Sequence, residues 1–238
     1  MATAPCTVTF GRHATDLAGA QDQRLAGLAE SFRAAGDATD EISVERLWIS
    51  GALVLLRFAS RALRERLLPA FAHLAEAAER ESATAPTLTV YLWDSASTGA
   101  HPPPRPRVPE DHAPGALYHF FEPTLRGAYQ PGSETLSMLD FEGGVAWHWV
   151  SSAFDQSYWE QACPIRQILF WWLGARGYLQ VHGAAIGTPT AGVLLVGKGG
   201  SGKSTVALAS LGSDLLYAGD DYVAVTLEPS PRVQSLYS

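Results

Sequence analysis

Glycine is concentrated in one stretch, Gly197-Lys198-Gly199-Gly200-Ser201-Gly202, which runs directly into Lys203-Ser204-Thr205. A segment so free in its backbone is neither helix nor strand, yet both flanks are strongly patterned, and that restricts the fold. Before it, Gly192-Val-Leu-Leu-Val196 is a short β-branched and leucine run suited to a buried strand. After it, Lys203 to Leu211 is rich in Ala and Leu and free of Gly and Pro, which predicts a helix. Strand, glycine loop and helix in this order fit G-x-x-x-x-G-K-[ST], a loop that wraps phosphate. The glycines let backbone N–H groups turn inward onto phosphate oxygens, and the start of the following helix adds partial positive charge. Residues Gly197, Lys198, Gly199, Gly200, Ser201, Gly202, Lys203, Ser204 and Thr205 are therefore the expected nucleoside triphosphate site. Within it, Lys203 is expected to reach the β- and γ-phosphates and Ser204 to ligate Mg²⁺.

The chain has 238 residues, 47% hydrophobic and 17% charged, which allows one large globular domain or two small ones. Its net charge of −7, without a Lys/Arg cluster, argues against a nucleic-acid surface. The start, MATAPCTVTF, has no basic and apolar leader pattern, and no apolar run reaches the roughly 18 residues of a membrane span. Cys6 and Cys163 read as reduced thiols, and the expected location is the cytoplasm.

Along the chain, residues 17–35 carry a helical apolar period that Gly36-Asp37 ends. Leu47–Phe58 reads as strand with an interruption near Gly51, and Arg61–Arg80 as helix kinked or broken at Pro69. Thr87–Trp93 alternates at period 2, as a half-buried strand does. Prolines crowd residues 101–114 and predict an extended surface loop. Tyr118–Phe121, Thr135–Phe141 and Val145–Val150 are strand candidates, the last two joined by a hairpin at Glu142-Gly143-Gly144. Residues 157–175 read as an apolar helix with Pro164 near its start or at a kink. Val181–Ile186, Leu215–Ala218, Tyr222–Leu227 and Val233–Tyr237 read as further strands. The expected division is an N-terminal α+β domain over residues 1–155, with a substrate-selecting role, and a P-loop domain over residues 156–238. The Trp147-His148-Trp149 and Trp171-Trp172 clusters read as packing, and His101 and His112 have no metal-ligand spacing.

One ordering of motifs is more specific than the loop alone. His182-Gly183-Ala-Ala, a turn, the Gly192–Val196 strand, the P-loop, a helix and then Tyr217-Ala-Gly-Asp220-Asp221-Tyr-Val together resemble the catalytic domain of HPr kinase/phosphorylase, over residues 178–238. The resemblance implies an α/β fold: an N-terminal α+β domain followed by an incomplete P-loop kinase domain of HPr-kinase/PEP-carboxykinase-like type. It also implies ATP and Mg²⁺, and phosphoryl transfer to a serine hydroxyl of a protein or peptide substrate, with a small metabolite as an open alternative. Matched residue by residue, it makes Lys203 a stabiliser of the transferring group and Thr205 a support on the α-phosphate side. Asp220 becomes the general base, Asp221 a metal ligand beside Ser204, and His182 a hydrogen-bond partner of an aspartate or phosphate. A homo-oligomer is left open.

Two departures qualify the match. The family's catalytic domain continues well past its Asp-Asp strand, whereas this sequence stops at Ser238, so the resemblance implies a domain incomplete at its C-terminus, with an unpaired sheet edge. Lys198-Gly199 also stands where the family usually carries Ser after its first Gly-x pair. Over the loop alone, Lys198 through Thr205 resembles the deviant Walker motif of partitioning and arsenite-pump ATPases, whose extra lysine reaches across a dimer. A switch of that type and a non-catalytic nucleotide-binding module are the two rival expectations.

Overall fold

The computed structural model describes residues 14–75, 85–113 and 115–237. Cys6, the last part of the expected helix to Arg80, Pro114 and Ser238 lie outside the described residues.

Period-2 alternation builds the first layer. In β3 (Leu88–Asp94), Leu88, Val90 and Leu92 enter one core while Tyr91 and Trp93 enter another, so the strand is covered on both faces. It belongs to a seven-stranded mixed sheet in the order β1-β2-β3-β7-β6-β5-β4. Strands β1 (Ser43–Ile49) and β2 (Ala52–Phe58) form a hairpin in which Ile49 faces Ala52. The expected interruption is this turn: Ser50 and Gly51 have φ of 49° and 75°, both left-handed, as a two-residue hairpin requires. β2 pairs parallel with β3, and β3 parallel with β7 (Val145–Val150). The other pairings, with β6 (Thr135–Asp140), β5 (Leu125–Gln130) and β4 (Tyr118–Phe121), are antiparallel.

Helices cover both faces. Helix α1 (Ala14–Thr39) lays Leu28, Phe32 and Ala35 onto one face, against Trp93, Trp147 and Trp149. On the other face lies α2 (Arg61–Leu67), which gives way at Leu68–Phe71 to a 3-10 turn carrying Pro69, the break that proline predicts. The 157–175 segment splits at Pro164 into α4 (Tyr158–Ala162) and α5 (Arg166–Ala175), with α3 (Ser95–Thr98) earlier in the chain. The split follows from Pro164, which lacks an N–H, and from Ile165 at φ 49°. Ile168, Leu169 and Trp172 of α5 join the second face of the sheet. The four tryptophans read as packing are all buried, the expected role.

The second sheet is smaller and curled around β8 (Leu179–Gly187). β9 (Gly192–Val196) pairs with β8 on one side. β10 (Leu216–Gly219) and β11 (Tyr222–Thr226) pair with it in succession, and β12 (Arg232–Ser235) lies beyond β11. The two sheets share one core, because Leu236 and Tyr237 are buried in the same cluster as β2, β3 and α5. The molecule is thus a mixed α/β fold. Among the described residues no helix is long and apolar enough to cross a membrane.

Candidate functional site

The glycine loop joins β9 to helix α6 (Lys203–Ala209), which tightens into a 3-10 turn at Ser210–Gly212. Gly200 and Gly202 have φ of 75° and 89°, left-handed values that glycine adopts without a Cβ clash. At Gly197 a Cβ would sit 2.8 Å from Ser201 Oγ, so the closeness of the turn also asks for glycine. Ser201 N donates to Lys198 O at 3.1 Å. Lys203 Nζ donates to Gly197 O at 3.0 Å and to Lys198 O at 3.2 Å, which sets its ammonium inside the turn. Ser204 and Thr205 are exposed on the first turn of α6.

Strand pairing brings the second motif beside this loop. Gly183 faces Val196 on one side of β8, and on the other its N–H donates to Asp221 O at 3.0 Å. Val196 and Asp221 are therefore two strand spacings apart, about 10 Å across β8. Glycine at 183 permits this closeness, since a Cβ would stand 2.7 Å from Leu195 O. The ladder along β10 and β11 is interrupted at Asp220-Asp221, where Asp221 has φ 70°.

The two carboxylates differ in their surroundings. Asp220 Oδ1 accepts the Asp221 N–H at 2.8 Å, whereas Asp221 Oδ1 lies 3.4 Å from His182 Nε2. His182 stacks on Tyr222 with ring centres 5.1 Å apart. Arg166, at the start of α5, donates to Tyr222 Oη at 2.6 Å and lies over its ring. Burial, and then the charges of Asp220 and Asp221, raise the Tyr217 hydroxyl above its ordinary value. The structure thus brings His182 and Asp221 together, with Asp220 next in chain, and sets the glycine loop at the end of the neighbouring strand.

A cavity of about 420 Å³ opens at this cluster and runs between the sheets. His182, Asp221 and Arg166 line it on one side, and Ser137 and His148 on the other. Ser137 and His148 are cross-strand partners on β6 and β7, and Ser137 Oγ is 3.0 Å from His148 Nδ1. Burial pushes His148 down to about 4, so it is neutral near pH 7. Burial, and then the Asp221 carboxylate, push the Cys163 thiol of the cavity wall up to about 11, which keeps it protonated.

Sequence reasoning missed Ser137, His148 and Arg166. His148 sits between two tryptophans and reads as core, and only the face it takes in β7 shows it to the cavity. His101 and His112 are not among the cavity's lining residues, and His112 Nδ1 lies 3.2 Å from Pro109 O. Among the described residues, no group of three or more His, Cys, Asp or Glu side chains could hold a metal by itself. A pair of carboxylates next to a glycine loop nevertheless fits Mg²⁺, which takes few protein ligands and would complete its shell with phosphate and water. In comparison with known proteins, no family model matches this chain, and no curated protein matches it either.

Proposed function

We propose that this chain binds ATP at the 197–205 loop and transfers its γ-phosphoryl group to a hydroxyl, in the manner of an HPr-kinase-like P-loop domain. The observation that carries the reading is the alignment of three strands. The glycine loop leaves β9 at Val196, next to Gly183, whose other neighbour is Asp221. Phosphoryl transfer asks for charge neutralisation and an aligned nucleophile more than for covalent chemistry, and this alignment supports both. Loop N–H groups and Lys203 hold the β- and γ-phosphate oxygens. Ser204 and Asp220 hold Mg²⁺, which neutralises phosphate charge when bound. Asp221 takes the proton of the attacking hydroxyl, and His182 orients it. What favours Asp221 over Asp220 as base is its position on the cavity wall beside His182. The carboxylate of Asp220 is turned instead to its neighbour's N–H.

The test is transfer of label from γ-labelled Mg-ATP, with nucleotide affinity measured in parallel by a fluorescent ATP analogue. Lys203→Ala is expected to weaken nucleotide binding at least tenfold. Asp221→Asn should leave binding within a few-fold and slow transfer by about 100-fold or more, as loss of a general base does. Asp220→Asn should act mainly on the Mg²⁺ requirement. ATP-driven dimerisation that Lys198→Ala abolishes, without transfer, overturns the proposal in favour of a Walker-type switch. Nucleotide binding with no transfer and no dimerisation leaves a regulatory module.

A further inference from the structure

The cavity behind Asp221 bears on what receives the phosphoryl group. At about 420 Å³ it falls in the range of small-ligand pockets, about 300–1,000 Å³. Its inner wall is recessed, with Ser137 and His148 only 5% and 7% exposed. They offer a hydroxyl and a ring nitrogen without net charge near pH 7. Charge enters at two other points of the lining. Arg166 supplies a guanidinium, braced by Tyr222, on the same side as Asp221 and His182. Glu160 supplies a carboxylate from α4, held by the Ser157 N–H at 2.9 Å. Beside the Asp221 carboxylate, a cation, a second carboxylate and neutral hydrogen-bonding groups around one small volume complement a zwitterion that also carries a hydroxyl.

We infer that the acceptor is a small hydroxy amino acid seated in this cavity, with its carboxylate on Arg166, its ammonium facing Glu160 and its hydroxyl turned to Asp221. The inference rests on the transfer reading above and replaces a protein-borne serine with a free one, or with a near homologue. In the step, the acceptor oxygen forms a bond to the γ-phosphorus as the bond from that phosphorus to the β–γ bridging oxygen breaks. ADP leaves with that electron pair, and the hydroxyl proton passes to the Asp221 carboxylate. The products are ADP and a phosphate monoester.

The experiment incubates the full chain and γ-labelled Mg-ATP with L-serine, with L-homoserine, and separately with the low-mass and macromolecular fractions of a cell extract. The expected result is label in a low-mass monoester that keeps a free amine and a free carboxylate. Arg166→Ala, at an exposed position, should raise the acceptor KM about 10- to 100-fold, the loss expected of a charged hydrogen bond, with kcat and nucleotide affinity nearly unchanged. Ser137→Trp fills the cavity and should abolish transfer while the fluorescent ATP analogue still binds. Label confined to the macromolecular fraction overturns the inference and leaves the transfer reading standing. So does low-mass transfer whose KM Arg166→Ala does not move. Nucleotide binding without label in any fraction overturns both, and absence of nucleotide binding removes the P-loop reading on which they rest.

Discussion

At the scale of single residues, burial decides what a side chain can do. His148 and His182 are both histidines on strands, but one is sealed against Ser137 and the other lies open beside Asp221. The folded state holds His148 near 4, against 6.5 for an unperturbed histidine. As pH falls below about 6.5 the unfolded chain takes up a proton that the folded chain refuses, so stability drops and continues to drop to about pH 4. The shift corresponds to a loss of about 3 kcal/mol. Urea midpoints of the wild type should therefore fall between about pH 7 and pH 4 more steeply than those of His148→Gln. Equal slopes would show that His148 is solvated. The flanking tryptophans mark His148 as packed, but the cavity that it shares with His182 is set by strands far apart in sequence.

At the scale of elements, glycines mark where backbones must come close. Gly127 has Phe120 directly across from it in β4, and a Cβ there would stand 1.9 Å from Phe120 Cε2. The ring covers the space a side chain would take, the kind of aromatic cover that strand glycines accept. Strand β5 went unread in the sequence because Arg126-Gly127 breaks the apolar alternation that marks its neighbours. Gly183 does the same between β8 and β9. Gly183→Ala sets a methyl carbon against Leu195 O and should push β9 and the glycine loop away from β8. We expect a stability loss of about 1–3 kcal/mol and weaker nucleotide binding. Thermal melts and analogue titration of that one variant check both, and unchanged binding would mean that the loop does not depend on this pairing.

At the scale of the whole molecule, the two sheets are keyed together rather than strung in series. Gln234 of β12 accepts the Ser50 N–H at 2.8 Å, Arg176 and Tyr178 reach Ser50 O at 3.3 Å, and Tyr237 Oη donates to Pro164 O at 3.2 Å. All seven tryptophans fall at or before Trp172, so their fluorescence reports the first sheet and α4–α5, while an ATP analogue bound as proposed would report the loop. We expect both signals to be lost in one urea transition. Tyr237→Ala should lower the stability of that joint unit by about 3–5 kcal/mol, as deletion of a buried aromatic ring does. Separate transitions would establish two independent units, divided as residues 1–155 and 156–238 predict. The sequence by itself determined the elements whose causes are local: the period-2 strands, the disturbances of helix at Pro69 and Pro164, an interruption near Gly51 that the structure shows to be a hairpin turn, and the glycine loop between β9 and α6. Turn chemistry, proline geometry and apolar period act within a few residues, so they can be read in order along the chain. Only the tertiary structure decided that Ser137, His148, Glu160 and Arg166 share a cavity with His182 and Asp221. It also decided that Asp221 rather than Asp220 faces that cavity. The physical reason is that register and sheet packing bring together residues from strands and helices up to 84 positions apart, from Ser137 to Asp221, and no local periodicity records such a meeting.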